Sequence, residues 1–509
     1  MKTSLRSLPR PDTFDQSSSM WIDEAIWGHR LYDEQLPWLV FLEFLNVYQY
    51  EVAKGRVFKE TDGLNTLRYR AHHRLSLRHL LFNNPFMIEI RMTIPDDEGR
   101  WREWLRRMKQ AAGGRGFEYL KPHFHSFDEF CEVVALMRST SLEVNSNKRW
   151  TSKFVFPYGD DCLYEDLNSE ATTNDRRFFG RTGEVLYLML CRSARKEELA
   201  VALASRLSSN DPKWNAIVGA LQPQSDVEEG AYRANAFLPY ETHECFDQLA
   251  EDWLALLSLS IPGFDVFPHL VCIAGFHLLK YQLTVARQLL GMSPTPIMVC
   301  EVVAPKKTLV REVSCECYQQ NNLLSARAVD SFVSGLERSE QWKGALSHED
   351  PFSGCKKVLG DLAHWGEDYD GPNTPEGLIG RLRQDAMKRH RQHVLHIHRN
   401  YGREVGLVSK RGTTKLRYAP NDELLKTLLF ANVAKRTELQ RLLETLSDRY
   451  GLVFSDREAE KVLSSGDYDR KAFRANAVRL EQRLGSLGLL RRLSDACAYV
   501  VNPHYGAMR

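Results

Sequence analysis

The chain has 509 residues, with 68 Lys and Arg against 66 Asp and Glu and 43% hydrophobic residues, the composition of an ordinary globular protein. With 10 Trp, 19 Tyr and 24 Phe it is too aromatic for a disordered chain. A net charge of +2 argues against a uniformly basic nucleic-acid coat protein.

Residues 1–20 form a polar leader without the apolar stretch of a secretory signal. No window supplies the run of about 20 apolar residues that a membrane span needs. The nearest, 259–283, is broken by Pro262, Asp265, Pro268, His269 and Lys280. A cytoplasmic protein without membrane contact is expected. The 10 cysteines are scattered and form no C-x-x-C pair, which disfavours a zinc ribbon. Cys191 and Cys272 sit in apolar runs, where a reduced thiol acts as a small hydrophobe.

In chain order, 21–35 read as a short helix. Pro37 suits the first turn of a second helix over 38–48, apolar nearly all round and therefore buried. Its one charge, Glu43, requires a buried partner, and a network with Arg30 is expected. Residues 86–94 alternate, with Ile88, Ile90, Met92 and Ile94 on one side, which predicts a half-buried strand. Asp96 caps a following helix, and Ser126 with Glu129 forms a capping box opening a helix through Met137. A strand at 151–157 is followed by helices at 182–192, 195–208, 243–259, 269–290 and 322–337. The stretch 297–317 fits a hairpin or a broken helix.

Charge is unevenly spread. Residues 376–509 hold 26 Lys and Arg against 15 Asp and Glu, a net of +11, and residues 1–375 hold 42 against 51, a net of −9. Such asymmetry is a hint of a nucleic-acid-facing region. The turn-rich stretch 366–375 suits a linker between the two. Beyond it lie a basic helix at 376–400, a strand, turn and strand over 405–419, helices at 421–433, 436–449, 456–464 and 469–487, and a strand-like end at 489–503.

Short helices followed by a strand pair predict a winged helix-turn-helix. In the last helix Phe473, Ala477, Leu480, Leu484 and Leu487 form one apolar stripe. Lys471, Arg474, Arg479 and Arg483 lie off it, and Arg491 and Arg492 open the wing. These cations are candidates for phosphate contacts, and Asn476 and Gln482 for reading base edges. The stripe 381–417, containing Arg389, Arg391, Arg399, Lys410 and Arg411 with histidines at 390, 393, 396 and 398, suits a phosphate backbone. It equally suits a helix packed against the acidic first region.

Catalytic signatures are sparse. Tyr158-Gly-Asp160-Asp161 matches a metal-binding polymerase tetrapeptide, but no companion carboxylate motif accompanies it, so an acidic turn is the stronger reading. His393, His396 and His398 lack an acidic third ligand nearby and are not expected to hold a metal. Arg176, Arg177 and Arg181 precede a helix and would suit an anion, yet no P-loop is present. No cofactor is expected.

Two stretches carry a resemblance: 21–47 (WIDEAIWGHRLYDEQLPWLVFLEFLNV) and the tail at 423–430, 448–455 and 480–503, with RRFFGRTGEVLYLML (176–190) between them. They resemble accessory proteins of bacterial anti-phage defence islands, and in particular components of the methylation-associated defence system. None of these residues is a catalytic motif, so no active site carries over. The resemblance implies subunit partners such as a HerA/FtsK-like ATPase, a nuclease or a methyltransferase.

The expected fold is mainly α with minor β. A polar leader (1–20) precedes a helical acidic body (21–375, divisible near 240), a basic helix and hairpin (376–420) and a winged-helix-like domain (421–509). The leading function is a non-catalytic subunit binding duplex DNA in a defence complex. The alternatives are a metal-dependent nuclease or phosphodiesterase with its site in 1–375, for which Asp160 and Asp161 are the test, and a protein-binding scaffold.

Overall fold

The structure, a computed structural model, describes residues 7–11, 20–59, 66–139, 180–207, 212–222, 228–304, 308–366, 368–410, 415–463, 468–494 and 497–506. It is mainly helical, with small sheets. The first half comprises α1 (Asp23–Trp27), α2 (Pro37–Ala53), β1 (Thr66–His73), α3 (Leu75–Phe82), α4 (Met87–Thr93), α5 (Asp97–Ala111), α6 (Phe127–Ser139), α7 (Thr182–Cys191), α8 (Lys196–Leu207), α9 (Pro212–Leu221), β2 (Glu228–Phe237), α10 (Glu244–Leu257) and α11 (Phe267–Leu289). Next come β3 (Met298–Val299), α12 (Leu309–Asn322), α13 (Leu324–Glu337), α14 (Glu340–Leu346), α15 (Pro351–Ala363), α16 (Pro375–His393), α17 (Ile397–Glu404), β4 (Val408–Ser409) and β5 (Arg417–Tyr418). The chain closes with α18 (Asp422–Asn432), β6 (Arg436–Glu438), α19 (Leu439–Tyr450), β7 (Leu452–Val453), α20 (Asp456–Val462), α21 (Arg470–Ser486), β8 (Leu490–Ser494) and β9 (Cys497–Val501).

Helices α2 and α11 are buried on nearly every side, as their all-round apolar sequences require, and Pro37 stands at the start of α2. β1 and β2 pair antiparallel, Thr66 opposite Phe237. One apolar core runs from Met20 to Val500 and so crosses position 375 without a break. A second, smaller core of Val299, Val310, Val313, Val453, Ala459 and Phe473 joins β3, α12, β7, α20 and α21.

Three expectations are corrected. The alternating segment 86–94 is helix α4, not a strand: Met87 and Ile90, spaced for a helix face, are buried, whereas Ile88 and Met92 are 60% and 82% exposed. Arg91 ties this helix to Asp128 (2.7 Å) and Glu132 (3.2 Å) on α6. The basic helix expected at 376–400 breaks at Val394. There the Asp33 backbone N–H donates to the His393 carbonyl (2.8 Å), and the Asp33 carboxyl accepts from the His396 N–H (2.9 Å). One inserted residue thus closes α16 and caps α17, satisfying groups that helix ends leave unpaired. The stretch 297–317 is neither a hairpin nor a broken helix. Its described residues run from β3, which pairs in parallel with β7, into α12. The strand expected at 151–157 lies outside the described residues.

The capping expectations hold. Asp96 accepts from the Gly99 N–H (2.6 Å) and Ser126 from the Glu129 N–H (3.1 Å). Glu129 reaches back to the His125 N–H (2.7 Å), one residue before the one expected.

Candidate nucleic-acid interface

Helix α21 starts at Asp469, whose carboxyl accepts from the Lys471 and Ala472 N–H groups (2.9 and 3.3 Å). It ends at a turn in which Gly488 has φ 73°, a conformation that favours glycine, and the chain reverses directly into β8. The β8–β9 hairpin adds β6 on its outer edge, giving the order β6-β9-β8. Val500 on one face of this sheet is buried, and Arg492 on the same face pairs with Glu481 of α21 (3.0 Å). On the opposite face Arg491 and Tyr499 are cross-strand neighbours, and the Arg436 guanidinium lies 5.6 Å from the Tyr499 ring centre.

The buried stripe of α21 is Phe473, Asn476, Leu480 and Leu484. Lys471, Arg474, Arg491 and Arg492 are exposed. Arg474 and Arg470 both reach Asp456, at 2.9 and 3.4 Å. Three other sequence candidates are turned inward. Asn476 is fully buried, so it is not placed to read a base edge. Its amide donates to the Cys300 and Phe454 carbonyls (both 2.9 Å), and its oxygen accepts from the Val302 N–H (2.8 Å). Arg479 donates to the Val302 carbonyl (3.3 Å). Arg483 binds Asp422 (2.6 Å) and the Pro420 carbonyl (3.0 Å). The spacing 473, 476, 480, 484 is itself a helical face, so the signal that Asn476 is internal was present in the sequence.

Part of the stripe 381–417 is spent inside the protein, while Arg381, Lys388, Arg391, Arg403, Lys410 and Lys415 stay exposed. Arg389 bonds to Glu24 and the Met20 carbonyl, and His390 to Asp23 (2.8 Å) and Ser325 (3.1 Å). Arg383 pairs with Asp330 (2.9 Å). Buried Arg417 pairs with Glu301, which Arg311 also binds (2.8 Å). Farther along, Arg449 meets Asp252 at 2.7 Å. The basic C-terminal region therefore answers the acidic body across position 375. Arg391 and Lys410 are exposed, Arg399 is half-buried beside Asn400 (3.3 Å), and Arg411 lies outside the described residues. His398 is buried between Tyr418 (2.8 Å) and Asn322 (3.3 Å), and burial pushes its pKa down to about 3. Among the described residues no cluster of three His, Cys, Asp or Glu is placed to hold a metal ion.

A second concentration of polar groups lies under the N-terminal helices. Glu43 accepts from the Gly183 N–H (2.8 Å), the Arg181 N–H (3.2 Å) and the Gln35 amide (2.8 Å), so it caps the start of α7. Thr182 accepts from the Tyr32 N–H (3.0 Å) and donates to the Arg30 carbonyl (3.2 Å). Arg181 bonds to Glu184 (2.9 Å) and meets the His29 ring at 3.1 Å. Burial, then the Arg181 charge, hold the His29 pKa down to about 4. Burial pushes the Glu24 carboxyl up, but the His29 hydrogen bond and the Arg389 charge outweigh it and hold it below its ordinary value. Glu43 thus has buried partners, the backbone N–H groups at the start of α7 and the Gln35 amide, and Arg30 joins this cluster through its carbonyl. Arg181 contributes to this scaffold. Arg176, Arg177, Asp160 and Asp161 lie outside the described residues.

Residues 378–505 match the family model described as methylation-associated defense system protein MAD7. The matched stretch includes the tail segments at 423–430, 448–455 and 480–503, and the similarity supports a component of a methylation-associated defence system. No curated protein and no solved structure matches the chain. Among the described residues no helix is long and apolar enough to cross a membrane.

Proposed function

We propose that this protein is a non-catalytic, DNA-binding adaptor of a methylation-associated defence system, engaging duplex DNA through residues 421–505. The observation that carries the reading is the order helix, strand, helices, hairpin, with the first strand on the edge of the hairpin. A winged helix has the order helix, strand, two helices, hairpin, to which β7 and one further helix are added here, and in it the helix before the hairpin enters the major groove. Here that helix is α21. Its outward cations Lys471 and Arg474, with Arg491 and Arg492 on the following strand, are the phosphate contacts of this reading. Arg479, Arg483 and Asn476 instead fix the helix to the rest of the chain. Other subunits of the system, such as an ATPase, a nuclease or a methyltransferase, are the partners of this adaptor.

The test is duplex binding by the full-length protein across ionic strengths. Four phosphate-contacting cations give a slope of log affinity against log salt of about −3 to −4. The double variant Lys471→Glu, Arg474→Glu makes that slope shallower by about 2 and weakens binding to all sequences alike. Equal binding by the double variant, or affinity indifferent to salt, overturns the reading.

A further inference from the structure

We infer that α21 recognises a methyl group on the major-groove edge of a base, and that Val478 is the side chain that meets it. The inference rests on the DNA-binding reading above and goes to what that site selects.

The outward positions of α21 are Lys471, Arg474, Ala475, Val478 and Gln482, which share one face of the helix. From Lys471 to Gln482 the face is about 16 Å long. Its N-terminal end carries Lys471 and Arg474 with Arg470 alongside, three cations against Asp456, which the two arginines share, and the capping Asp469. Its centre is different. Ala475 is exposed, and Val478 is an apolar side chain 51% exposed among the described residues. The one acidic residue in this part of the helix, Glu481, is held by Arg492 at 3.0 Å. The face therefore attracts a polyanion and offers it an apolar contact at mid-helix.

Charge complementarity selects duplex DNA as the occupant. Within the major groove almost every group is a hydrogen-bond donor or acceptor, and the apolar feature is a methyl, that of thymine in unmodified DNA. A valine at the centre of the face gains nothing from a donor or acceptor and gains about fourfold in affinity from covering one methyl group. The methyl is supplied by thymine, by 5-methylcytosine or by N6-methyladenine. Short Ala475, one turn back, lets the helix approach closely enough for the contact. Gln482, one turn on, supplies the polar partner that a base edge next to the methyl requires.

The experiment selects bound sequences from a randomised duplex library with the full-length protein. The preferred duplex is then remade with uracil for thymine, with 5-methylcytosine for cytosine, or with N6-methyladenine for adenine. Affinities are read by fluorescence anisotropy. The expected result is a loss of about fourfold for each contacted thymine methyl removed, or a gain of about fourfold from one of the two methylated bases. The arm that responds identifies the source. Val478→Ser brings the ratio between methylated and unmethylated duplexes to one. Duplex binding with no difference among the arms, or a ratio unchanged in Val478→Ser, overturns this inference and leaves the DNA-binding reading standing. Failure to bind any duplex overturns both.

Discussion

Truncating Asn476 to alanine separates an internal from an external role for this side chain. Its amide group satisfies three buried backbone groups, the carbonyls of Cys300 and Phe454 and the N–H of Val302, at 2.8–2.9 Å. Residue 476 is fully buried, so water does not replace the lost partners. At about 1–3 kcal/mol for each buried group left unpaired, and with partial relaxation, the cost is about 3–5 kcal/mol. For a chain of this size the entropy of unfolding is about 1 kcal/mol per kelvin, so the melting temperature falls by about 4 °C. Asn476→Asp is worse than alanine, because a carboxylate oxygen then faces two carbonyl oxygens. Calorimetry of the full-length variants is the assay. A side chain that points at DNA costs less than about 0.5 kcal/mol when truncated. An Asn476→Ala protein as stable as the parent but impaired in duplex binding refutes the inward placement.

Three further outcomes follow from the buried polar groups. Burial, the largest cause for each, holds the pKa of His29 and His79 down to about 4 and that of His398 to about 3. These folded values lie below the unfolded value, so the stability they support is complete above about pH 6.5 and is lost as pH falls toward 4. The three together steepen acid unfolding by up to about 4 kcal/mol per pH unit, and urea titrations at a series of pH values that show a flat midpoint from pH 7 to 5 contradict this. Asp33 has the opposite sign: burial, its largest cause, pushes its pKa up to about 6, above the unfolded value. Its contribution is present at low pH and lost as pH rises from about 4 through 6, so Asp33→Asn, which keeps an acceptor for the His396 N–H, gains about 1–2 kcal/mol at pH 7.5 and nothing at pH 4. Thermal melts at the two pH values check it. Finally, a methyl group at Gly183 stands 2.5 Å from Glu43 Cβ and 2.6 Å from the Val40 carbonyl, both on α2. Gly183→Ala therefore costs about 3 kcal/mol by overpacking, and a variant with an unchanged melting temperature argues against the close approach of α2 and α7.

What local chemistry specifies was readable residue by residue. The buried helix after Pro37, the caps at Asp96 and Ser126, the last helix and the hairpin after it all follow from patterns within about a dozen residues. The charge split between the two halves was also plain. Its meaning was not, because a cation's sequence neighbours do not say which carboxylate it will meet. Arg389 finds Glu24, and Arg449 finds Asp252, across long stretches of chain.

Segment 86–94 failed for a related reason. Its alternation is compatible with a strand, and the packing of Met87 and Ile90 decided for a helix. Sequence alone determined that α21 has one apolar stripe and a basic remainder. The helical spacing already placed Asn476 beside the stripe, and only the tertiary structure decided which of the arginines face out. Burial is a property of what packs alongside, and strand β3 and the chain after it, more than 170 residues earlier, supply the backbone groups that draw Asn476 and Arg479 inward. The same packing leaves Lys471, Arg474 and Val478 as the surface the helix presents.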